Sequence, residues 1–315
     1  MYNALYFAPM EGITDFMFRR AHSVVFPGDV DKYFTPFISM GQNKKMNPRE
    51  KRDILPENQG DYKLAVQIMA NRSVPFIAVA KEIASYGYKD INLNLGCPSG
   101  TVVSKKKGAG FLSVPDDLDR FLDEIFEGCR EFATISIKTR IGVKDPDEFD
   151  RILQIFDKYP ISELVVHPRL RSDFYKNTPN LDAFSKTLGY GDRLCYNGDI
   201  NSVSDTEVFW GRFSDVHKIM IGRGLVANPA LAGEIKGGDK LSLEQMKHFH
   251  ELLLEDNMKY QSGERNVLYH MKELWPLFGK SFTNFDKYGK EIRKAQRLCD
   301  YKAAVNTLFG QQQII

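Results

Sequence analysis

Cys97 stands between a glycine and a proline in the stretch "NLNLGCPSG", residues 92–100. The preceding run Asp90–Leu95 alternates polar and apolar side chains, the period-two signature of a strand with one buried face. Gly96 and Pro98 end it, glycine by permitting unusual backbone angles and proline by lacking the N–H a ladder needs. The thiol is therefore expected just past the C-terminal end of a strand, on a turn with little freedom. An unperturbed thiol has a pKa of about 8.5 and is mostly protonated at neutral pH, so a cysteine held there can donate a proton. A nucleophilic role would need a depressed pKa and an adjacent base, and no histidine neighbours Cys97 in the sequence.

Other strand-like runs end in residues that could join it. The first ends in "APMEGITD", with Ala8, Pro9 and Met10. "AVQIM" carries Gln67, the Cys97 strand itself carries Asn94, and "IKTRIG" carries Lys138 and Arg140. "VHPR" brings His167, "NGDI" brings Asn197, Gly198 and Asp199, and "IGRG" brings Gly222, Arg223 and Gly224. Each has an ordinary explanation alone: strand-end glycines form turns, a single histidine is usually hydrogen-bonded structure, and a cysteine can be a small buried hydrophobe. Convergence on one face would change that weighing.

The elements that must position them repeat one unit. Strand-like runs fall at Leu5–Ala8, Tyr33–Phe37, Leu64–Met69, Ile91–Leu95, Ile135–Thr139, Glu163–His167, Leu194–Tyr196 and Lys218–Ile221, and the spacing predicts helices over Pro75–Tyr86, Leu118–Phe126 and Phe149–Tyr159. Eight strands alternating with helices over about 235 residues predict a closed (β/α)8 TIM barrel, an α/β fold whose chemistry sits at the C-terminal strand ends. A doubly wound open sheet is the alternative, with a switch point and usually fewer strands. After Pro229 only helical spacing remains, and "KGGDK" at 236–240 reads as a linker. The expected organisation is a catalytic barrel over residues 1–235 and a helical-bundle domain over 241–315.

Composition narrows the classes further. The 315 residues carry a net charge of +2, which selects no partner by itself. Lys240–Gly310 holds 12 Lys and Arg against 9 Asp and Glu, whereas the rest holds 31 against 32, so basic character leans toward the tail. Four cysteines without a CxxC pair or zinc-like spacing argue against a metal site or a disulfide scaffold and for a reducing compartment. No run approaches the roughly 20 apolar residues of a membrane span, and a cytoplasmic protein is expected.

Glycine-rich ends on the last two strands, followed by a helix N-terminus, match the usual barrel phosphate site, with Arg223 to neutralise the charge. A buried lysine on the fifth strand suits an anionic partner deeper in the mouth. A phosphorylated cofactor with a ring over the barrel centre satisfies both, and flavin mononucleotide (FMN) is the natural candidate.

Together, "APMEGITD", "NLNLGCPSG" followed by "GAGFL", "SIKTRIG", "NGDI" and "MIGRG" resemble the motifs of the tRNA-dihydrouridine synthases, in the same order along the barrel. The resemblance implies an FMN-bound barrel, a C-terminal helical domain, NADPH as reductant, uridines of the tRNA D-loop as substrate, and a monomer. It implies hydride delivery from reduced FMN to C6 of uracil, with Cys97 as the acid that protonates C5. Lys138 and Gln67 would face the flavin pyrimidine ring and Ala8, Pro9 and Met10 would pack against it. His167, Asn197, Gly198, Asp199, Gly222, Arg223 and Gly224 would hold ribityl and phosphate. Independently of the resemblance, we assign Asn94 and Arg140 to the uracil, with Tyr175 a secondary choice. The target base must leave its stack, and RNA would be held through shape and phosphates. Lys105, Lys106 and Lys107 form a charged lid in this reading. Lys272 and a helical face of Lys290, Arg293, Lys294 and Arg297 complete the RNA surface, while the basic run 44–52 reads better as a solvated face. Glu11 and Pro168 depart from residues common in that family. Two other readings stay open: a flavin barrel acting on another structured RNA or on a free pyrimidine, and a non-catalytic RNA-binding scaffold.

Overall fold

The computed structural model describes residues 3–40 and 45–315. Its eight barrel strands are β1 (Ala4–Phe7), β2 (Lys32–Phe34), β3 (Leu64–Met69), β4 (Asp90–Leu95), β5 (Thr134–Arg140), β6 (Leu164–His167), β7 (Leu194–Tyr196) and β8 (Lys218–Ile221). Each pairs in parallel with the next, and β8 returns to β1 through the register Ala4↔Lys218 to Phe7↔Ile221, so the sheet is closed. The second run predicted a strand through Phe37, but β2 stops at Phe34 before Pro36. Ile38–Ser39 then resumes the same line against the far end of β3, because a proline has no N–H for the ladder.

Outward-facing strand residues such as Leu5, Phe7, Val66, Ile68, Ile91, Leu93, Ile135 and Ile137 are buried under the helices in one continuous core. Helices Ser73–Ser85, Pro115–Cys129 and Glu148–Phe156 cover the spans the periodicity predicts, each extended or trimmed at its ends. Inside, the lumen divides. Tyr6, Ala8, Phe34, Ala65, Val165, Cys195 and Met220 form an apolar cluster, whereas Gln67, Asn92, Asn94 and Ser136 make β3–β5 the polar side. The N-terminal end of the lumen is closed by charge. Lys32 bonds Asp90 at 2.9 Å and Glu163 at 2.7 Å, and Glu163 also accepts from Tyr6 and Lys218.

Helix Leu231–Ile235 ends the barrel portion, and the chain crosses 236–242 to the helices Leu243–Tyr260, Glu264–Phe278, Phe285–Lys294 and Leu298–Gln311. These pack on helix Phe16–Val25, with Phe249 edge-on to Phe18 and His22 and with Arg20 paired to Asp256. His270 bonds the carbonyl of Gly12, just past β1, and Ser281 donates to the carbonyl of Ala227, just past β8. The bundle therefore stands beside the C-terminal rim of β1 and β8. Among the described residues no helix is long and apolar enough to cross a membrane.

Candidate active site

The turn after β4 is pinned from two sides. Asn94 Oδ1 accepts the backbone N–H groups of Gly96 and Cys97, both at 3.0 Å. Arg140 Nε donates to the carbonyl of Gly96, while its two terminal nitrogens donate to Leu170 and Phe174 carbonyls at 2.7 Å. Phe174 holds a φ of 51°, strained for a phenylalanine, and its carbonyl is one that Arg140 secures. Cys97 is half-buried, and burial pushes its thiol up, partly offset by the N–H of Ser99 and by the Arg140 and Lys138 charges. The thiol is thus kept protonated, as a proton donor requires.

Lys138 lies across the β4–β5 ladder from Asn94. Burial and the neighbouring Arg140 pull its ammonium down to about 8, and among the described residues it has no ion pair or hydrogen bond. Next to it, β6 to β8 gather guanidinium groups. Arg169, 2% exposed, donates to His167 Nε2, to the Asn177 carbonyl and with both terminal nitrogens to Asp199, which also accepts from Arg223 at 2.7 Å. Because an arginine can only donate, His167 Nε2 accepts and the ring proton sits on Nδ1. Burial and four surrounding cations hold this imidazole neutral, well below the usual histidine range. Tyr175, 53% exposed, lies under the guanidinium groups of both Arg140 and Arg223, at 5.4 and 4.8 Å.

Several expected contacts take different forms. Gln67 is fully buried, its amide bonded to Asn92 and Asn94, so it supports the mouth from beneath, with one N–H and one lone pair of the amide left over. Asn94 and Arg140, expected at the uracil, are used on the Cys97 turn itself. Asp199 orients two arginines, and a carboxylate there would repel a phosphate on its own. Gly198 and Gly224 are required by packing: a Cβ would fall 1.9 Å from the Tyr196 hydroxyl in one case and 2.2 Å from the Ile200 carbonyl in the other. Asn197 ties β7 to the Met220 carbonyl of β8. The helix after β8 spans only Arg223–Ala227, too short for the dipole the motif suggested. Ala8, Met10 and Gly222 do meet at one place, where a Cβ on Gly222 would touch Ala8 Cβ at 3.4 Å and Met10 Sδ at 3.7 Å.

The RNA-facing candidates also separate. Lys105 and Lys106 are exposed, but the segment carrying them is a folded loop, a turn of helix at Gly100–Val103 and a 3-10 stretch at Gly108–Ser113 tied to the Cys97 carbonyl through Ala109 N–H. Lys107 donates to the Met40 carbonyl. Lys272 caps the helix Phe285–Lys294 through the Ala295 carbonyl at 2.9 Å, so it is structural. That helix stops at Lys294, and Arg297 opens the next one, paired with Asp300. The single helical face therefore reduces to Lys290, Arg293 and Lys294, all exposed. In the run 44–52, Lys44 lies outside the described residues, Lys51 pairs with Glu82 and Arg52 donates to the Tyr260 carbonyl. Arg169, which sequence reasoning missed, follows His167 by two residues, the spacing that keeps successive side chains on one face.

A sequence model of the family described as "Dihydrouridine synthase (Dus)" matches residues 6–311. The chain belongs to the dihydrouridine synthase family. A probable tRNA-dihydrouridine synthase of Staphylococcus aureus (strain Mu50) is 24% identical over 96% of this chain and 92% of its own. A probable tRNA-dihydrouridine synthase 2 of Bacillus subtilis (strain 168) is 28% identical over 91% and 86%. Among solved structures, morphinone reductase superposes with a TM-score of 0.51 at 11% identity, covering 78% of this chain and 89% of that one. Histamine dehydrogenase from a Rhizobium reaches 0.55 at 12% identity, over 79% of this chain and 49% of that one. At such identities these two share the TIM barrel with this dihydrouridine synthase family member, and the fold alone.

Proposed function

We propose that the protein reduces the C5–C6 bond of a uridine in tRNA to 5,6-dihydrouridine, and that Cys97 gives the proton to C5. The observation that carries this is a protonated thiol on a pinned turn, in the same barrel mouth as an ammonium, Lys138, that has no partner among the described residues. FMN fits the residues present: Lys138, without an ion pair among the described residues, suits its electron-rich ring, Gly222, whose missing side chain lets Ala8 and Met10 lie close, suits an approaching edge, and Arg223, aimed by Asp199, suits its phosphate. Reduced by NADPH, FMN supplies when bound the hydride that reaches C6. Cys97 Sγ–H protonates the opposite carbon, and the thiolate left behind is stabilised by Arg140 and Lys138. Tyr175, exposed over two arginines, offers a flat face to an unstacked base. Residues 1–235 carry the chemistry in this reading. Residues 241–315, through Lys290, Arg293 and Lys294, hold the RNA, and the protein works as a cytoplasmic monomer.

The test is the visible absorbance of purified protein under anaerobic conditions, with NADPH added first and tRNA lacking dihydrouridine second. Bleaching of a flavin band followed by tRNA-dependent recovery is expected. Bleaching with no recovery would move the substrate to another RNA or a free pyrimidine. No flavin band after reconstitution with FMN would leave an RNA-binding scaffold as the better account.

A further inference from the structure

Below Cys97 the polar side of the lumen forms one unbranched chain of hydrogen bonds. Asn94 Nδ2 donates to Gln67 Oε1 at 2.7 Å, and Gln67 Nε2 donates to Asn92 Oδ1 at 2.8 Å. Asn92 Nδ2 donates to Ser136 Oγ at 2.9 Å, and Ser136 Oγ donates to Asp90 Oδ1 at 3.0 Å. Gln67, Asn92 and Ser136 are fully buried and Asn94 nearly so. Neither Asn92 nor Ser136 has any part in the chemistry proposed above.

The direction of this chain is dictated by its ends. At the mouth, backbone N–H groups of Gly96 and Cys97 can only donate, so Asn94 must turn its oxygen to them and its nitrogen to Gln67. That fixes Gln67, then Asn92, then Ser136, each in turn. At the far end Asp90, already accepting from Lys32, can only accept from Ser136, which demands the same direction. Two independent termini agree, so no amide in the chain can turn over alone without opposing two donors or two acceptors in a site closed to water.

We infer that Asn92 and Ser136 are positioning residues for Cys97: they lock the amide of Gln67, and through it the amide of Asn94, in the one orientation that grips the Cys97 turn. This rests on the reading of Cys97 as the proton donor. The polarity makes an unusual demand. An aspartate at position 92 still accepts from Gln67 Nε2 and takes on its other oxygen the one Ser136 proton, which Asp90 gives up while it keeps Lys32, leaving the mouth end unchanged. A leucine there accepts nothing, and frees Gln67 and Asn94 to turn.

The experiment compares alkylation of Cys97 by iodoacetamide, followed on its own peptide by mass spectrometry, in wild-type protein, Asn92→Asp and Asn92→Leu. Asn92→Asp is expected within about twofold of wild type and Asn92→Leu about tenfold faster, since a buried amide left without its acceptor drives the network to rearrange. In turnover with tRNA, Asn92→Leu should lower kcat with KM unchanged. A merely structural role predicts the opposite order, because a carboxylate is harder to bury than a leucine. Wild-type alkylation in Asn92→Leu, or equally fast alkylation in both variants, would overturn the inference. Should Asn92→Leu fail to fold, Ser136→Ala removes the acceptor of Asn92 Nδ2 with less change in volume. It should speed alkylation about threefold, and a wild-type rate there overturns the inference equally. The Cys97→Ala variant separates the two claims: wild-type turnover in it would end the proton-donor reading while the alkylation order still judges the chain.

Discussion

Each guanidinium nitrogen of Arg140 and Arg169 in the barrel mouth donates to the protein's own carbonyls, a histidine or a carboxylate, whereas Lys290, Arg293 and Lys294 on the bundle are exposed, with Lys294 within 3.9 Å of Glu291 one turn away. The difference reflects what each set must do. A buried guanidinium without partners would carry a desolvation cost of several kcal/mol, so the mouth cations are fixed in advance and give geometry. Exposed lysines cost little to leave unpaired and gain by releasing counterions when they meet phosphate. Under the proposed function, the mouth would set the rate and the bundle would hold the RNA. Lys138 is the exception in the mouth, a half-buried cation without a partner among the described residues, and the reason to look for an anion there.

Separating kcat from KM tests this division between mouth and bundle. Cys97→Ala should lower turnover about 10²–10⁴-fold, the usual range for a lost general acid, with bound flavin unchanged in absorbance. Retained turnover would end the reading of Cys97 as the proton donor. Arg140→Lys keeps the charge but cannot reach three carbonyls. It should lower kcat about tenfold to a hundredfold and leave KM near wild type, whereas a rise in KM alone would make Arg140 a recognition residue after all.

On the other side, the triple variant Lys290→Glu, Arg293→Glu and Lys294→Glu should raise KM for tRNA about tenfold and flatten its salt dependence by about two to three counterions, roughly one for each phosphate no longer neutralised. kcat should hold. Lys272→Ala is the control: its loss should lower the melting temperature by about 1–2 °C, since it removes a helix cap worth roughly 1 kcal/mol from a chain of 315 residues, with no change in KM. A changed KM would return Lys272 to the RNA surface.

The smallest effect concerns pH. Lys138 titrates near 8 rather than 10.5 because burial and Arg140 disfavour its charge. Below 8 it is a cation and above 8 it is neutral, so affinity for an anionic partner is expected to weaken severalfold as pH rises from about 7 to about 9.5. Titration of FMN by fluorescence quenching checks this, and Lys138→Met should remove most of the pH dependence.

Local chemistry made much of the fold legible. Period two marked the strands, period 3.6 the helices, and glycine and proline the turns, because each is decided by neighbours a few residues apart. The same logic located the Cys97 turn, the Gly222 corner and Lys138. It could not say that Gln67 is bonded to Asn92 and Asn94, or that Arg140 holds Gly96, Leu170 and Phe174, because those partners lie 25 to 44 residues away. It also joined Arg297 to a helix that ends at Lys294, since helical spacing continues across a break that the extended backbone of Ala295 makes.

By itself, then, the sequence determined which residues stand at strand ends and which type of chemistry they could do, for these follow from short-range periodicity and the intrinsic properties of side chains. Only the tertiary structure decided which polar groups remain free. Most buried donors and acceptors must find a partner, and the closure of the barrel assigns those partners: it takes Gln67, Asn94 and Arg140 into hydrogen bonds with the scaffold, leaves Cys97 and Lys138 at the mouth, and sets the helical bundle beside β1 and β8.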